Sequence, residues 1–332
     1  MRRVRVFHHD KCFDGAASAA LFAAFYARRV HADATFEFCG LTHKATALFD
    51  PAEFNADDNA VVDFKYSPDP RVTWWFDHHQ SAFLSPDDAA HFQREQSPQK
   101  FCDPAYRSCT ELIADITRLR FGFDPTPHAE LIHWADRIDG AVYESAASAV
   151  ALGEPAMQLT LAIEGARDPG FLKRVIPDLT TLPLAALVAQ PYVQAELQPL
   201  LQRHRESLDV IASRSECRDG VVYFDVSDED LEGYNKFVPY FLHPSAIYNV
   251  GLSRSTFRMK VSVGSNPWNV IPEMENLAAI CERYGGGGHA RVGAISFLPE
   301  QRDEARQAAH EIVTELRRSF RHHPATPVQA PG

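Results

Sequence analysis

The sequence predicts an α/β protein with two domains and a parallel sheet in the first of them. The chain has 332 residues, of which 45% are hydrophobic, which is enough for two buried cores. Short apolar runs alternate with helical or polar segments, a pattern typical of βαβ units. We therefore expect an N-terminal parallel sheet with helices on both faces, a helical connector and a smaller α/β C-terminal domain.

The N-terminal half begins with a strand, a polar loop and a helix. Val4 to Phe7 is the strand, and residues 16–25 form an Ala-rich helix that can pack closely against a sheet. Further strands are predicted at Thr35 to Cys39, at Val61-Val62 and at Trp74 to Phe76. Each of the last two strands leads directly into polar residues.

After these strands the chain becomes polar and then helical. Residues 85–104 are polar and contain prolines, which predicts a surface loop. Ser108 followed by Glu111 forms a capping-box pattern at the start of a helix. Another helix is expected over Pro127 to Trp134. We place the end of the first domain at residue 183.

The second half is predicted to be a helical connector, a small domain and a tail. The connector covers 184–216, the domain 217–321 and a flexible tail 322–332. The predicted elements of this domain are strands at 221–226, 247–252, 257–263 and 293–297 and helices at 274–284 and 300–318.

Composition excludes several classes of protein. A net charge of −11 argues against a protein that coats long nucleic acid, because such binding depends on many basic side chains at phosphates. The six cysteines are scattered without paired spacing, so we expect reduced thiols and a cytoplasmic location. The sequence predicts neither a signal peptide nor a membrane span.

Carboxylates and imidazoles recur just after predicted strands. The carboxyl ends of parallel strands converge on one crevice, and mixed carboxylate and imidazole ligands favour Mn²⁺ or a similar ion, with Mg²⁺ or Co²⁺ as substitutes. The number of carboxylates is high for one ion and suits two, an arrangement that hydrolyses phosphate esters. These candidate ligands are His8, His9, Asp10, Cys12 and Asp14, then Asp63, then Asp77, His78 and His79, and finally Asp136 with Asp139 after a helix.

In this order the stretches resemble the motifs of the DHH phosphoesterase family. The family takes its name from the Asp-His-His found here at Asp77-His78-His79. Its strand that ends in Asp resembles Val61-Val62-Asp63, and its later Asp after a helix resembles Ala135-Asp136. The chain is also similar to the family's associated C-terminal domain, through Gly285-Gly286-Gly287-Gly288-His289.

The resemblance implies roles for these residues. Asp63 would bridge two metal ions, with Asp14, His78 and Asp136 completing the ligand set and Asp139 as the alternative to Asp136. Asp77 would ligate metal or orient His78, and His79 would reach the phosphate or support the metal ligands from behind. The first-motif ligand stays open among His8, His9 and Asp10.

Cys12 departs from the family pattern. Many members carry Asp at this position, whereas some relatives carry a His-x-x-Cys-x-Asp-Gly pattern, which His9, Cys12 and Asp14 reproduce. A thiolate would ligate a softer metal or leave one of two sites weak. The alternative is a small side chain packed beneath the loop.

The glycine run follows a helix and precedes a strand, unlike a dinucleotide-binding loop. We therefore expect the glycine run to let the backbone approach an anion closely. Gly286, Gly287 and Gly288 would bind substrate, and His289 would contact its phosphate. The stretch 234–293 has six basic against three acidic residues, and Arg258 on a predicted strand is a candidate phosphate ligand.

The expected activity is metal-assisted hydrolysis of a phosphodiester or phosphomonoester, with His78, His79 and His289 as catalytic imidazoles and the C-terminal domain closing over the substrate. The resemblance implies a short oligoribonucleotide, a nucleoside bisphosphate or a cyclic dinucleotide. Short single-stranded RNA fits as a partner, whereas long double-stranded nucleic acid and membranes do not, and a homodimer stays open. The alternatives are an exopolyphosphatase-like phosphoanhydride hydrolase and a nucleotide sensor with weak catalysis.

Overall fold

Five parallel strands form the sheet of the N-terminal part of the chain. Their order is β2-β1-β3-β4-β5, and every neighbouring pair is parallel. The structure is a computed structural model that describes residues 1–42, 48–229, 231 and 233–322. The sheet strands are β1 (Arg2–His9), β2 (Ala34–Leu41), β3 (Asp58–Val62), β4 (Val72–Asp77) and β5 (Lys100–Cys102).

The helices of this part cover both faces of the sheet. Trp74 and Phe76 alternate with Trp75 along β4, so they point to opposite faces. Trp74 and Phe76 pack on Phe22 of α1, whereas Trp75 packs on Phe92 of α2. The helices up to residue 214 are α1 (Phe13–Arg29), α2 (Pro86–Glu95), α3 (Cys109–Phe121), α4 (Ala129–Asp139), α5 (Ala146–Val150), α6 (Pro155–Gly165), α7 (Phe171–Leu179), α8 (Leu184–Val188) and α9 (Pro191–Arg214); of these, α5 and the second half of α9 belong to the second unit described below.

The fold class predicted from the sequence is confirmed, but two local predictions in the N-terminal part are wrong. The segment 85–104 is not a loop, because it holds α2 and the edge strand β5. Helix α4 continues to Asp139 instead of ending at Trp134, so Asp136 and Asp139 lie within the helix. The helical prediction over 184–214 is confirmed, with a short break between α8 and α9.

A second, six-stranded sheet lies in the C-terminal part. Its order is β10-β11-β9-β8-β7-β6, and only the β7–β8 pair is parallel. Helix α12 packs on one face through Ala305, Ala309 and Ile312. The elements are β6 (Glu216–Arg218), β7 (Val221–Asp225), α10 (Val238–Leu242), β8 (Tyr248–Arg254), β9 (Met259–Ser265), α11 (Leu277–Glu282), β10 (Gly287–His289), β11 (Val292–Phe297) and α12 (Arg302–His322).

The chain divides into two compact units. Unit 1 comprises Met1–Tyr143 and Leu152–Leu200, and unit 2 comprises Glu144–Ala151 and Leu201–Gly332. The flexible tail predicted over 322–332 lies outside the described residues apart from the backbone of His322. Within the part of the chain that is described, no helix is both long and apolar enough to cross a membrane.

Candidate metal centre

The site in unit 1 is assembled by three adjacent strands. β1, β3 and β4 are neighbours in the sheet and run in the same direction. At their carboxyl ends stand His9, Asp63 and Asp77. Because parallel strands present these ends at one edge, the order of the sheet alone brings the three residues together.

Asp63 lies at the centre of the site. Its φ of 55° is in the left-handed region, which costs energy for a residue with a side chain and is concentrated at functional sites. Both carboxylate oxygens are buried and accept no hydrogen bond from described residues. Oδ1 lies 3.5 Å from His78 Nε2 and 3.9 Å from His79 Nδ1, and Oδ2 lies 3.6 Å from His9 Nδ1. Burial would raise the pKa of Asp63, but the imidazoles of His78 and His9 hold it below its usual range.

His78 turns one nitrogen to the backbone and the other to carboxylates. Nδ1 lies 3.1 Å from the carbonyl oxygen of Tyr106, which can only accept, so Nδ1 carries the proton. Nε2 lies 3.4 Å from Asp139, 3.5 Å from Asp63 and 3.7 Å from Asp14. Burial opposes a charge on the ring, but these carboxylates raise the pKa of His78 to about 10.

The N-terminus of α3 holds Asp14 in place. The backbone N–H groups of Cys109 and Thr110 donate to its two oxygens at 2.7 and 3.0 Å, and the hydroxyl of Thr110 donates at 2.6 Å. The partial positive charge of a helix N-terminus favours a carboxylate there. Burial, Asp63 and Asp139 nevertheless raise the pKa of Asp14 to about 8. Gly15 allows the first turn of α1 to lie against the end of β1, because a Cβ would lie 2.3 Å from the carbonyl oxygen of His9.

Asp77 serves His79 rather than His78. Its Oδ1 lies 2.6 Å from His79 Nδ1 and accepts the backbone N–H of His78 at 2.9 Å. The hydrogen bond to Asp77 raises the pKa of His79. The His79 side chain is 40% exposed, so this imidazole is oriented from behind while part of it faces outward.

Three overlapping groups of side chains could each hold a metal ion. Within each group the ligand atoms lie no more than 4.8 Å from one another. The buried Asp63 oxygens and His78 Nε2 have no hydrogen-bond partner among described residues. A bound cation would satisfy such unpaired ligand atoms. The groups are His9 with Cys12 and Asp63, Asp63 with His78 and His79, and Asp14 with His78 and Asp139.

The thiol of Cys12 belongs to the first group. Burial and the nearby Asp63 and Asp14 raise the pKa of Cys12 well above its usual value. Without a cation the thiol therefore keeps its proton. A metal ion would have to displace that proton to gain a thiolate ligand.

Four candidate ligands proposed from the sequence lie outside these groups. One is Asp77, which holds His79, and the others are His8, Asp10 and Asp136. His8 is buried, with Nδ1 3.1 Å from the carbonyl oxygen of His9, because successive residues of a strand face opposite sides. The backbone N–H of Asp10 donates to Leu41, and its carboxylate lies beside Gly40. Asp136 pairs with Arg107 at 3.4 Å.

In unit 2 the Gly-rich run forms an edge strand. Gly287 to His289 make up β10, which pairs with β11, so part of the predicted loop is extended backbone. Arg258 precedes β9, and its prediction as a strand residue is wrong. His289 of β10 pairs with Val292 of β11, and Val292 in turn pairs with Gly264 of β9. At ~3.3 Å per residue, 258 and 264 are ~20 Å apart, so the structure does not bring Arg258 to His289.

The sequence pattern gave no indication of the residues that support the ligands. Thr110 and Tyr106 contact Asp14 and His78 through tertiary hydrogen bonds. The one local signal was Ser108, which caps α3 by accepting the N–H of Glu111 at 3.1 Å, as predicted. That cap fixes where the helix begins and therefore where its free N–H groups lie.

No family model matches the chain, and no curated protein matches it. Several solved structures, however, match the chain. A pGpG-specific phosphodiesterase, PggH of Vibrio cholerae, matches with a TM-score of 0.67 at 15% identity, over 97% of this chain and 100% of that one. The DHH domain of a member of the s1p family of ribosomal proteins matches with a TM-score of 0.58 at 15% identity, over 94% and 86%.

The chain has the DHH fold. RecJ of Thermus thermophilus in complex with Mn²⁺ is also similar, with a TM-score of 0.55 at 14% identity, over 95% of this chain and 52% of that one. At these identities the similarity establishes the fold. The DHH fold places the sequence Asp77-His78-His79 at the end of β4, where the three groups of metal-type ligands meet.

Proposed function

We propose that the chain is a metal-dependent phosphoesterase that hydrolyses a phosphodiester or phosphomonoester of a small nucleotide. The observation that carries the proposal is the position of Asp63 and His78. Each belongs to two of the three ligand groups, and each has buried ligand atoms without hydrogen-bond partners among described residues. Shared ligands of this kind suit two adjacent ions.

We assign the ions to the residues that the geometry favours. One would be held by His9, Cys12 and Asp63, and the other by Asp14, His78 and Asp139, with Asp63 between them. Mn²⁺ suits a set of carboxylates and imidazoles, and Mg²⁺ or Co²⁺ are substitutes. When bound, such ions lower the pKa of a coordinated water and offset charge on the phosphoryl oxygens.

His79 is the candidate for contact with the substrate. Asp77 holds Nδ1 and favours the charged ring, which leaves Nε2 as a donor to a phosphate oxygen. A charged donor is stronger than a neutral one at an oxygen whose negative charge grows during the reaction. His79 would thus orient the phosphate and stabilise the transition state.

The substrate class rests on charge and on similarity. The chain is acidic overall, which disfavours long nucleic acid, and one similar structure is a pGpG-specific phosphodiesterase. We propose a short oligoribonucleotide, a nucleoside bisphosphate or a cyclic dinucleotide. In unit 2, Gly286 to His289 remain the proposed surface for a substrate phosphate, because His289 is exposed and follows backbone without side chains.

The test is a hydrolysis panel with Mn²⁺. Bis-p-nitrophenyl phosphate, the linear dinucleotide pGpG and tripolyphosphate are incubated with the wild-type chain and with Asp63→Ala. We expect turnover of the two phosphodiesters and its loss in Asp63→Ala, since that carboxylate is shared by both ions. Asp69→Asn, which removes a carboxylate paired with Arg71 outside the ligand groups, is the control.

The outcomes separate the alternatives. Turnover of tripolyphosphate alone would favour the phosphoanhydride hydrolase. Binding of Mn²⁺ without turnover of any substrate would favour the sensor. Turnover that survives in Asp63→Ala would reject this site.

A further inference from the structure

Arg107 stands on a short loop that is fixed on both sides. The preceding residue, Tyr106, accepts the Nδ1 hydrogen of His78 through its carbonyl oxygen. The following residue, Ser108, caps α3. The loop backbone is therefore tied to a proposed metal ligand, whereas the Arg107 side chain itself is 62% exposed.

The Arg107 side chain lies over the end of α4. A Cβ on Gly140 would be 3.2 Å from its Cδ, so the missing side chain at 140 leaves room for the arginine stem. The guanidinium Nη1 lies 3.4 Å from Asp136 Oδ2. Glu111 faces the same carboxylate, and burial together with Asp136 raises the pKa of Glu111 to about 7.

Asp136 is one helical step from a proposed ligand. Asp139 lies three residues further along α4, 3.4 Å from His78 Nε2. Residues three apart on a helix are neighbours, with Cβ atoms about 5–6 Å apart. The Arg107–Asp136 pair therefore lies beside the ligand group, at its exposed side.

We propose that Arg107 binds an oxygen of the substrate phosphate and that Asp136 positions Arg107 instead of ligating metal. This inference rests on the proposed phosphoesterase function. A guanidinium matches phosphate oxygens through two parallel hydrogen bonds. The carboxylates of Asp14, Asp63 and Asp139 would offset much of the positive charge that two bound ions bring, so a cation at the rim of the site adds to the attraction for an anionic substrate.

The two roles of Asp136 predict different results in a double-mutant cycle. Arg107→Ala should lower kcat/KM for bis-p-nitrophenyl phosphate and for pGpG about 10- to 100-fold, the usual effect of one hydrogen bond to a charged group. Arg107→Lys should recover only part of it. Asp136→Asn should lower kcat/KM in the wild-type background and have no further effect in Arg107→Ala.

Metal content provides the second readout. Asp136→Asn and Arg107→Ala should bind as much Mn²⁺ as the wild type, whereas Asp139→Asn should bind less. Arg118→Ala is the matched control. It removes an arginine of the same unit that is paired with Asp115 on α3, and it should leave both readouts unchanged.

Two results would overturn the inference. One is an Arg107→Ala variant that behaves like Arg118→Ala. The other is an Asp136→Asn variant that loses Mn²⁺ and lowers kcat/KM equally in both backgrounds. If the wild type hydrolyses neither ester, the proposed function fails, and orthophosphate binding to the Mn²⁺-loaded chain decides the inference separately. Arg107→Ala should then weaken that binding about tenfold, and an unchanged affinity would refute it.

Discussion

Substitution of Thr110 by valine tests how the fold prepares Asp14 for a metal ion. The Thr110 hydroxyl is buried and donates to Asp14 Oδ1 at 2.6 Å. Valine has a similar volume and keeps the backbone N–H that donates at 3.0 Å, so the substitution removes the hydroxyl's hydrogen bond to Asp14 Oδ1 together with its 3.1 Å contact with Ser18 Oγ. A hydrogen bond to a charged group contributes about 1.5–3 kcal/mol. At ~1.4 kcal/mol per tenfold change, Mn²⁺ affinity should fall about 10- to 100-fold, as expected for a residue that orients a metal ligand.

The assay is calorimetric titration of the chain with Mn²⁺. Thr117→Val is the matched control, because Thr117 is equally buried on the same helix and its hydroxyl donates at 2.6 Å to the carbonyl oxygen of Ile113 instead. Thr110→Ser should retain most of the affinity. A Thr110→Val variant that binds Mn²⁺ within about twofold of the wild type would refute the reasoning, as would an equal loss in Thr117→Val.

Three further predictions concern protons and the thiol. Because the pKa of Asp14 is raised to about 8 and that of His78 to about 10, Mn²⁺ must displace protons near neutral pH. The affinity for Mn²⁺ should therefore rise between about pH 6 and 9, and calorimetry in buffers of different ionisation enthalpy should detect the released protons. An affinity that does not depend on pH would contradict this prediction. With the metal chelated, the folded chain should lose stability as the pH rises, because both Asp14 and His78 stabilise the fold in their protonated forms. Asp14 loses this contribution between its unfolded pKa of 3.8 and its folded pKa of about 8, and His78 loses it between 6.5 and about 10. A melting temperature that rises with pH in EDTA would be inconsistent with these pKa shifts. The Co²⁺-loaded wild type should show a thiolate-to-metal absorption band that Cys12→Asp lacks, and an identical spectrum would remove Cys12 from the ligand set.

The sequence predicted best those site residues that directly follow a strand. Parallel strands bring their carboxyl ends together, so His9, Asp63 and Asp77 could be expected at one edge once the strands were identified. The large apolar residues Trp74 and Trp75 made β4 easy to identify, because they fill the two faces of the sheet.

The parts that the sequence missed depend on weak local signals. Helix α2 has no fully buried residue, and Phe92 is its one partly buried side chain in the core cluster around Trp75 among the described residues, so its apolar pattern is weak. Ser85 at its N-cap and Pro86 at its first position are nevertheless helix-start signals. Strand β5 has three residues, too few for a period. Both were therefore included in a predicted loop.

The choice between similar ligands required side-chain positions. Asp136 and Asp139 are three residues apart on one helix and differ only in what their carboxylates reach. Likewise, Thr110 contacts Asp14 across a separation of 96 residues. No local pattern encodes such a contact, because it arises from the packing of α1 against α3.

The central claim is that Asp63 is shared by two metal ions, and the most direct test is the amount of Mn²⁺ bound per chain. After loading and dialysis, elemental analysis of the wild type should give about two ions per chain. Asp63→Asn should give less than about one, while its side chain keeps its size and asparagine tolerates the positive φ at this position. Asp69→Asn should match the wild type. An Asp63→Asn variant that retains as much Mn²⁺ as the wild type would contradict the account.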